Sequence, residues 1–105
     1  MKVMLLAISN SQTEAGRPPS KEAITAMHQF NEELEKAGVL VDLGGLKPMS
    51  LGKRVTYAAG KVTVTDGPFT EAKEMIAGYT LIQTKTREEA LEWTRRFPKP
   101  HFDDV

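Results

Sequence analysis

The run Lys2-Val3-Met4-Leu5-Leu6-Ala7-Ile8 is apolar without alternating. A strand reads this way when both of its faces are covered. Any fold for this chain must therefore supply two coverings for its first strand. The rest of the sequence offers two amphipathic helices. The first follows Pro18-Pro19, with Ser20 as its cap and Gly38 as its stop. Its Ala23, Met27, Phe30, Leu34 and Ala37 recur at three-to-four spacing and make one apolar stripe. The second opens at Thr86-Arg87-Glu88-Glu89, a capping-box pattern, and ends at Pro98. It turns Ala90, Trp93, Thr94 and Phe97 inward. Glu88 and Glu89 near its start and Arg95-Arg96 near its end complement the helix dipole.

Between these helices the periodicity is that of strands. Val39–Leu43 reads as a strand ended by Gly44-Gly45, and Gly78–Thr84 as another. Arg54–Ala58 and Lys61–Thr65 alternate on either side of Ala59-Gly60, which predicts a hairpin. Val55, Tyr57, Val62 and Val64 are expected on its buried face, with Thr56, Thr63 and Thr65 on the other. Ser9–Pro19 and Lys47–Gly52 read as loops, and Thr70–Met75 as one helical turn at most. The order describes an α+β chain: a ferredoxin-like sandwich with an inserted β-hairpin and both helices on one face of the sheet.

That layout leaves the second face of the first strand bare. A chain of 105 residues fits a single domain. Such a chain buries only about 60–70% of its unfolded surface and has little area to leave a sheet face wet. A second copy of the sheet, in an isologous two-fold contact, is the simplest cover, so a homodimer is expected.

Composition narrows the function classes. Fourteen basic and fourteen acidic residues cancel, and no Lys/Arg run exceeds Arg95-Arg96, so no basic field for nucleic acid is expected. The absence of cysteine removes disulfides, thiolate nucleophiles and Cys-based metal sites. His28 and His101 lie far apart, and no His/Asp/Glu set has ligand spacing, so neither metal nor cofactor is expected. Val3–Ile8 is too short for a signal-peptide core or a membrane span, which makes a cytoplasmic protein the expectation.

Three groups carry candidate chemistry. His28, with Ile24, Asn31 and Glu35, falls along one flank of the first helix's stripe, where a cleft between helix and sheet would open. Histidine is the natural proton carrier near neutrality, although a surface histidine is the plainer reading. Asp42 interrupts an apolar strand and must either face solvent or be paired. Asp66-Gly67-Pro68-Phe69 closes an alternating strand with a carboxylate, a bend, a fixed φ and a ring. Asp66 reads either as a general base or ligand anchor, or as a residue that fixes its own turn, with Phe69 plugging the core. Lys73 beyond the turn is a candidate anion contact or a surface ion-pair partner. Tyr79 is a candidate pocket cap or a core residue.

Several of these pieces, in order, resemble the YCII-related proteins, and within them the subgroup named for its Asp-Gly-Pro-Phe motif. The resemblance is carried by Phe30-Asn31-Glu32-Glu33-Leu34, Ala37-Gly38-Val39-Leu40, Gly45-Leu46-Lys47-Pro48 and Val64-Thr65-Asp66-Gly67-Pro68-Phe69. Glu71-Ala72-Lys73-Glu74, Gly78-Tyr79 and Glu89-Ala90-Leu91-Glu92-Trp93 complete it. It implies a dimeric α/β-barrel of ferredoxin-like subunits and a His–Asp pair in the cleft, for which His28 with Asp66 or Asp42 are the candidates. Beside it, the reading of the residues themselves gives Asn31, Gly67, Pro68, Phe69, Lys73 and Tyr79 as candidate ligand contacts. The subgroup's association with alternative sigma factors implies a second possibility, a non-catalytic signalling module. The resemblance fails at the chain's end. Members continue into one more strand with a Glu-Val-Arg-Pro-like run, where this sequence reads Lys99–Val105, so the domain is expected to lack its last strand.

Overall fold

The computed structural model describes residues 1–69, 74–98 and 105. The elements in order are β1 (Lys2–Ile8), α1 (Ser11–Glu14), α2 (Lys21–Lys36), β2 (Leu40–Gly45), β3 (Lys53–Ala58), β4 (Lys61–Asp66), β5 (Ile76–Gln83) and α3 (Arg87–Arg95), with a 3-10 turn at Met49–Leu51. β5 lies between β1 and β2 and is antiparallel to both. β1 and β2 therefore run parallel without touching, joined through α2, which is the split βαβ arrangement of ferredoxin-like folds. β3 and β4 form a separate two-stranded sheet.

Each helix begins where a side chain satisfies its free amides. Ser20 accepts from Ala23 N and Thr86 from Glu89 N. Glu89 reaches back to Lys85 N rather than to the cap residue, so the box expected at Thr86–Glu89 closes one residue early. Gly38, at φ 72°, takes the left-handed turn that ends α2. Within the loop expected over Ser9–Pro19, Asn10 and Thr13 bond reciprocally and nucleate the short α1.

The sheet has one dressed face and one bare face. Leu5 pairs with Thr80 and Val3 with Ile82, and these point toward the helices. There Leu5, Ala7, Phe30, Leu34, Val39, Ile82, Ala90 and Phe97 form the buried core. Leu34 and Ile82 are 0% exposed. Phe30 meets Phe97 and Trp93 edge-on, at 5.4 and 6.3 Å between ring centroids, and so joins α2 to α3. Arg96 reinforces that joint by stacking over Trp93 and bonding Glu33 at 2.5 Å. On the opposite face Met4 pairs with Leu81 and Leu6 with Tyr79, and no helix among the described residues covers them.

The hairpin departs from expectation. Val55 pairs with Val64 and Tyr57 with Val62, so the four do share a face. That face is open: they are 46%, 59%, 78% and 63% exposed in the same order. The hairpin stands away from the helices, which cannot reach it. The radius of gyration is 16.0 Å, against about 13 Å for a compact chain of this length.

Candidate functional site

A cavity of about 260 Å³ opens between α2 and the helix-facing side of the sheet. Small residues create it. Gly45 pairs directly with Gly78 on the face that looks at α2, and Ala7 and Ala23 border the same space. None of these can fill the gap that larger side chains would close. A β-carbon on Gly45 would meet nothing within 4 Å. Leu5, Leu43, Ile24, Met27 and Phe97 supply apolar walls, and Pro19 lies at its edge.

The α2 flank singled out from the sequence supplies the polar side. Ile24, His28 and Asn31 all line the cavity, and Glu35, a turn farther on, does not. His28 is exposed at the rim. Asn31 is half-buried, and its Oδ1 is shielded from solvent with no hydrogen-bond partner. A buried acceptor without a donor is uncommon and costs about 1–3 kcal/mol. His28 and Tyr79 are the titratable residues along its lining, with the Tyr79 side chain on the far face of the sheet, and no Lys, Arg, Asp or Glu of the described residues lines it.

Asp42 and Tyr79 form a separate pair. Asp42 sits opposite Leu81, on the bare face of the sheet, while Leu43 and Gly45 take the helix-facing register. The Tyr79 ring lies across Gly44, where an added β-carbon would fall 2.8 Å from the ring edge. Its hydroxyl donates to Asp42 Oδ2 at 3.1 Å. That hydrogen bond, the negative charge of Asp42 and partial desolvation raise the tyrosine's pKa above its ordinary 10.0. The sheet thus separates Asp42 from His28.

Asp66 is also apart from the cavity. Its carboxylate pairs across the hairpin with Lys53 Nζ, with both side chains well exposed. The turn after it is held by backbone. Gly67 N donates to Gly52 O at 2.8 Å, and a β-carbon on Gly67 would run into the Met49 carbonyl oxygen. Met49 N in turn donates to Glu14 Oε1 at 2.9 Å. The Gly67–Pro68 peptide is cis. Phe69 does not plug the core; it lies half-buried beneath the Arg54 guanidinium, whose Cζ is 4.3 Å from the ring centroid. The Asp66–Phe69 turn is absent from the cavity lining. Lys73 lies outside the described residues, as does most of the helical turn expected over Thr70–Met75.

Of the nine site residues read from sequence, the structure brings His28, Asn31 and Tyr79 to one cavity. Sequence reasoning missed Gly45, Gly78 and Leu43. The signal was present in Gly44-Gly45, read as a strand terminator, because those glycines continue β2 and pair with Tyr79 and Gly78. Among the described residues no group of three His, Cys, Asp or Glu could hold a metal ion, and no helix is long and apolar enough to cross a membrane.

The profile of the YCII-related domain matches residues 1–102. The chain belongs to the YCII-related family. An uncharacterized protein of Rhizobium meliloti (strain 1021) is 37% identical over 60 residues, 57% of this chain. The match spans 48% of that relative, about half of its length. This YCII-related chain thus has its family and its α+β layout fixed, and its chemistry must be argued from the cavity.

Proposed function

We propose that this protein binds a small molecule in the cavity between α2 and the sheet, with His28 exchanging a proton with it at the rim. The observation that carries this reading is the convergence of His28 and Asn31 on an apolar, preformed space. An apolar pocket with a few convergent polar groups is the usual form of a small-molecule site. Asp42 and Asp66 stand outside the cavity in this reading, paired with Tyr79 and Lys53. The Asp66-Gly67-Pro68-Phe69 sequence also supports membership of the subgroup named for that motif.

Gly45→Phe is the discriminating variant, since its side chain enters open space on the cavity side. A metabolite library screened by thermal shift is expected to give ligands that stabilise the wild type by several degrees at saturation. Gly45→Phe should abolish that stabilisation, and His28→Gln should weaken turnover more than binding. Ligands that stabilise Gly45→Phe as well as wild type would contradict the cavity as the site.

The bare sheet face supports a homodimeric barrel. Met4 is 51% exposed on a strand that is otherwise apolar, beside Leu6 and Leu81. Light scattering at micromolar concentration is expected to give twice the chain mass, and the mass of one chain would refute it.

The open apolar face of the hairpin favours a second reading, a signalling module that docks a sigma factor. That reading requires a sigma factor to co-purify with wild type and to be lost from a Tyr57→Ser, Val62→Thr variant. Equal recovery with both proteins, or none with either, removes it.

A further inference from the structure

The chemistry of the cavity also limits what it can hold. We propose that its ligand is an uncharged, ring-sized molecule that buries its ring against the apolar walls and donates one O–H or N–H to Asn31 Oδ1. This rests on the reading of the cavity as a binding site and narrows it to a ligand class.

Size comes first. An apolar cavity of about 150 Å³ accommodates benzene. The roughly 260 Å³ here takes one ring with a short substituent, and a larger molecule would extend out through its open side. Charge comes second. With no Lys, Arg, Asp or Glu of the described residues on its lining, a buried carboxylate or ammonium would lose its water without gaining a partner. Hydrogen-bonding capacity comes third. Asn31 Oδ1 is the orphan acceptor of a side chain that lines the cavity. The oxygen is shielded in the free protein, and the broad amide torsion lets a ligand donor draw it toward the cavity that the side chain lines. A ligand donor then satisfies a group that is otherwise buried without a partner, whereas a ligand bearing only acceptors leaves it so. His28, one turn earlier on the same flank, also lines the cavity.

Four matched probes separate these terms: benzyl alcohol, benzyl methyl ether, benzoate and benzylamine, titrated into isotope-labelled protein and followed by amide chemical shifts. Benzyl alcohol is expected to bind about two- to tenfold tighter than the ether, the range of one net hydrogen bond. Both ions are expected to bind at least roughly tenfold more weakly than the alcohol. Asn31→Leu should erase the preference for alcohol over ether while leaving the ether's affinity within about twofold, since that probe makes no such bond. An unchanged preference in Asn31→Leu, or no preference in wild type, overturns Asn31 as the acceptor. Tighter binding of either ion overturns the uncharged class. In both of those cases blockade by Gly45→Phe still upholds the cavity as a site. If none of the four probes shifts cavity amides, or if Gly45→Phe blocks nothing, the underlying reading falls and the ligand class with it.

Discussion

The helix-covered sheet and the β3–β4 hairpin are built from similar residues and end in opposite environments. Both pair antiparallel, the sheet with a register shift in each of its ladders and the hairpin in unbroken register. In the sheet, Leu5 and Ile82 disappear beneath α2 and α3. In the hairpin, Val62 and Val64 remain more than half exposed. Alternation in a strand decides which residues share a face, and a separate element decides whether that face is covered. α2 and α3 both lay their apolar stripes on the three-stranded sheet, and no further long helix among the described residues is left for the hairpin.

This contrast is sharpest in stability. Leu34→Ala, at a position with no exposed surface, should cost about 2–5 kcal/mol in urea denaturation. A loss below about 1 kcal/mol would mean the interior is looser than its burial indicates. Gly67→Ala should cost about 1–3 kcal/mol, because backbone rather than a movable side chain opposes the new methyl group. It probes whether the turn anchors the hairpin to the body. Thr86→Ala removes the cap of α3 and should cost about 1 kcal/mol.

A smaller effect is expected on the bare face of the sheet. Tyr57→Phe leaves Tyr79 as the single tyrosine, so phenolate absorbance then reports its titration alone. Its midpoint should lie above 10.0, and Asp42→Asn should lower it by removing the negative charge. The contribution of the Tyr79–Asp42 bond is complete below the ordinary tyrosine pKa and is lost as pH rises through the raised one. The least effect is expected in the hairpin, where Val62→Thr should change the stability of the dilute chain by no more than about 0.5 kcal/mol. A loss above about 1 kcal/mol would show that something covers the hairpin and would end the contrast.

Much of the fold was legible because short-range rules govern it. The Ser20 and Thr86 caps, the Ala23–Phe30–Leu34 stripe and the facing of Val55 with Val64 are all matters of local spacing. The α2 flank of Ile24, His28 and Asn31 was legible for the same reason. The cavity itself was not, since it depends on Gly45 and Gly78 meeting across strands far apart in sequence. Asp66 drew attention as chemistry because carboxylates at strand ends often act, yet its partner proves to be Lys53 across the hairpin. Gly67 was read correctly as a residue needed for the turn, and the Met49 carbonyl supplies the reason.

The central claim is that the small-molecule site lies beneath α2 and not at the Asp66–Phe69 turn. Amide chemical-shift mapping with saturating benzyl alcohol tests it most directly. The account predicts saturable shifts at Asn31, Leu43, Gly45, Gly78 and Thr80, with the hairpin and Gly67 unmoved. Shifts clustered at Gly67 and Phe69, or shifts that rise linearly without saturating, would contradict it.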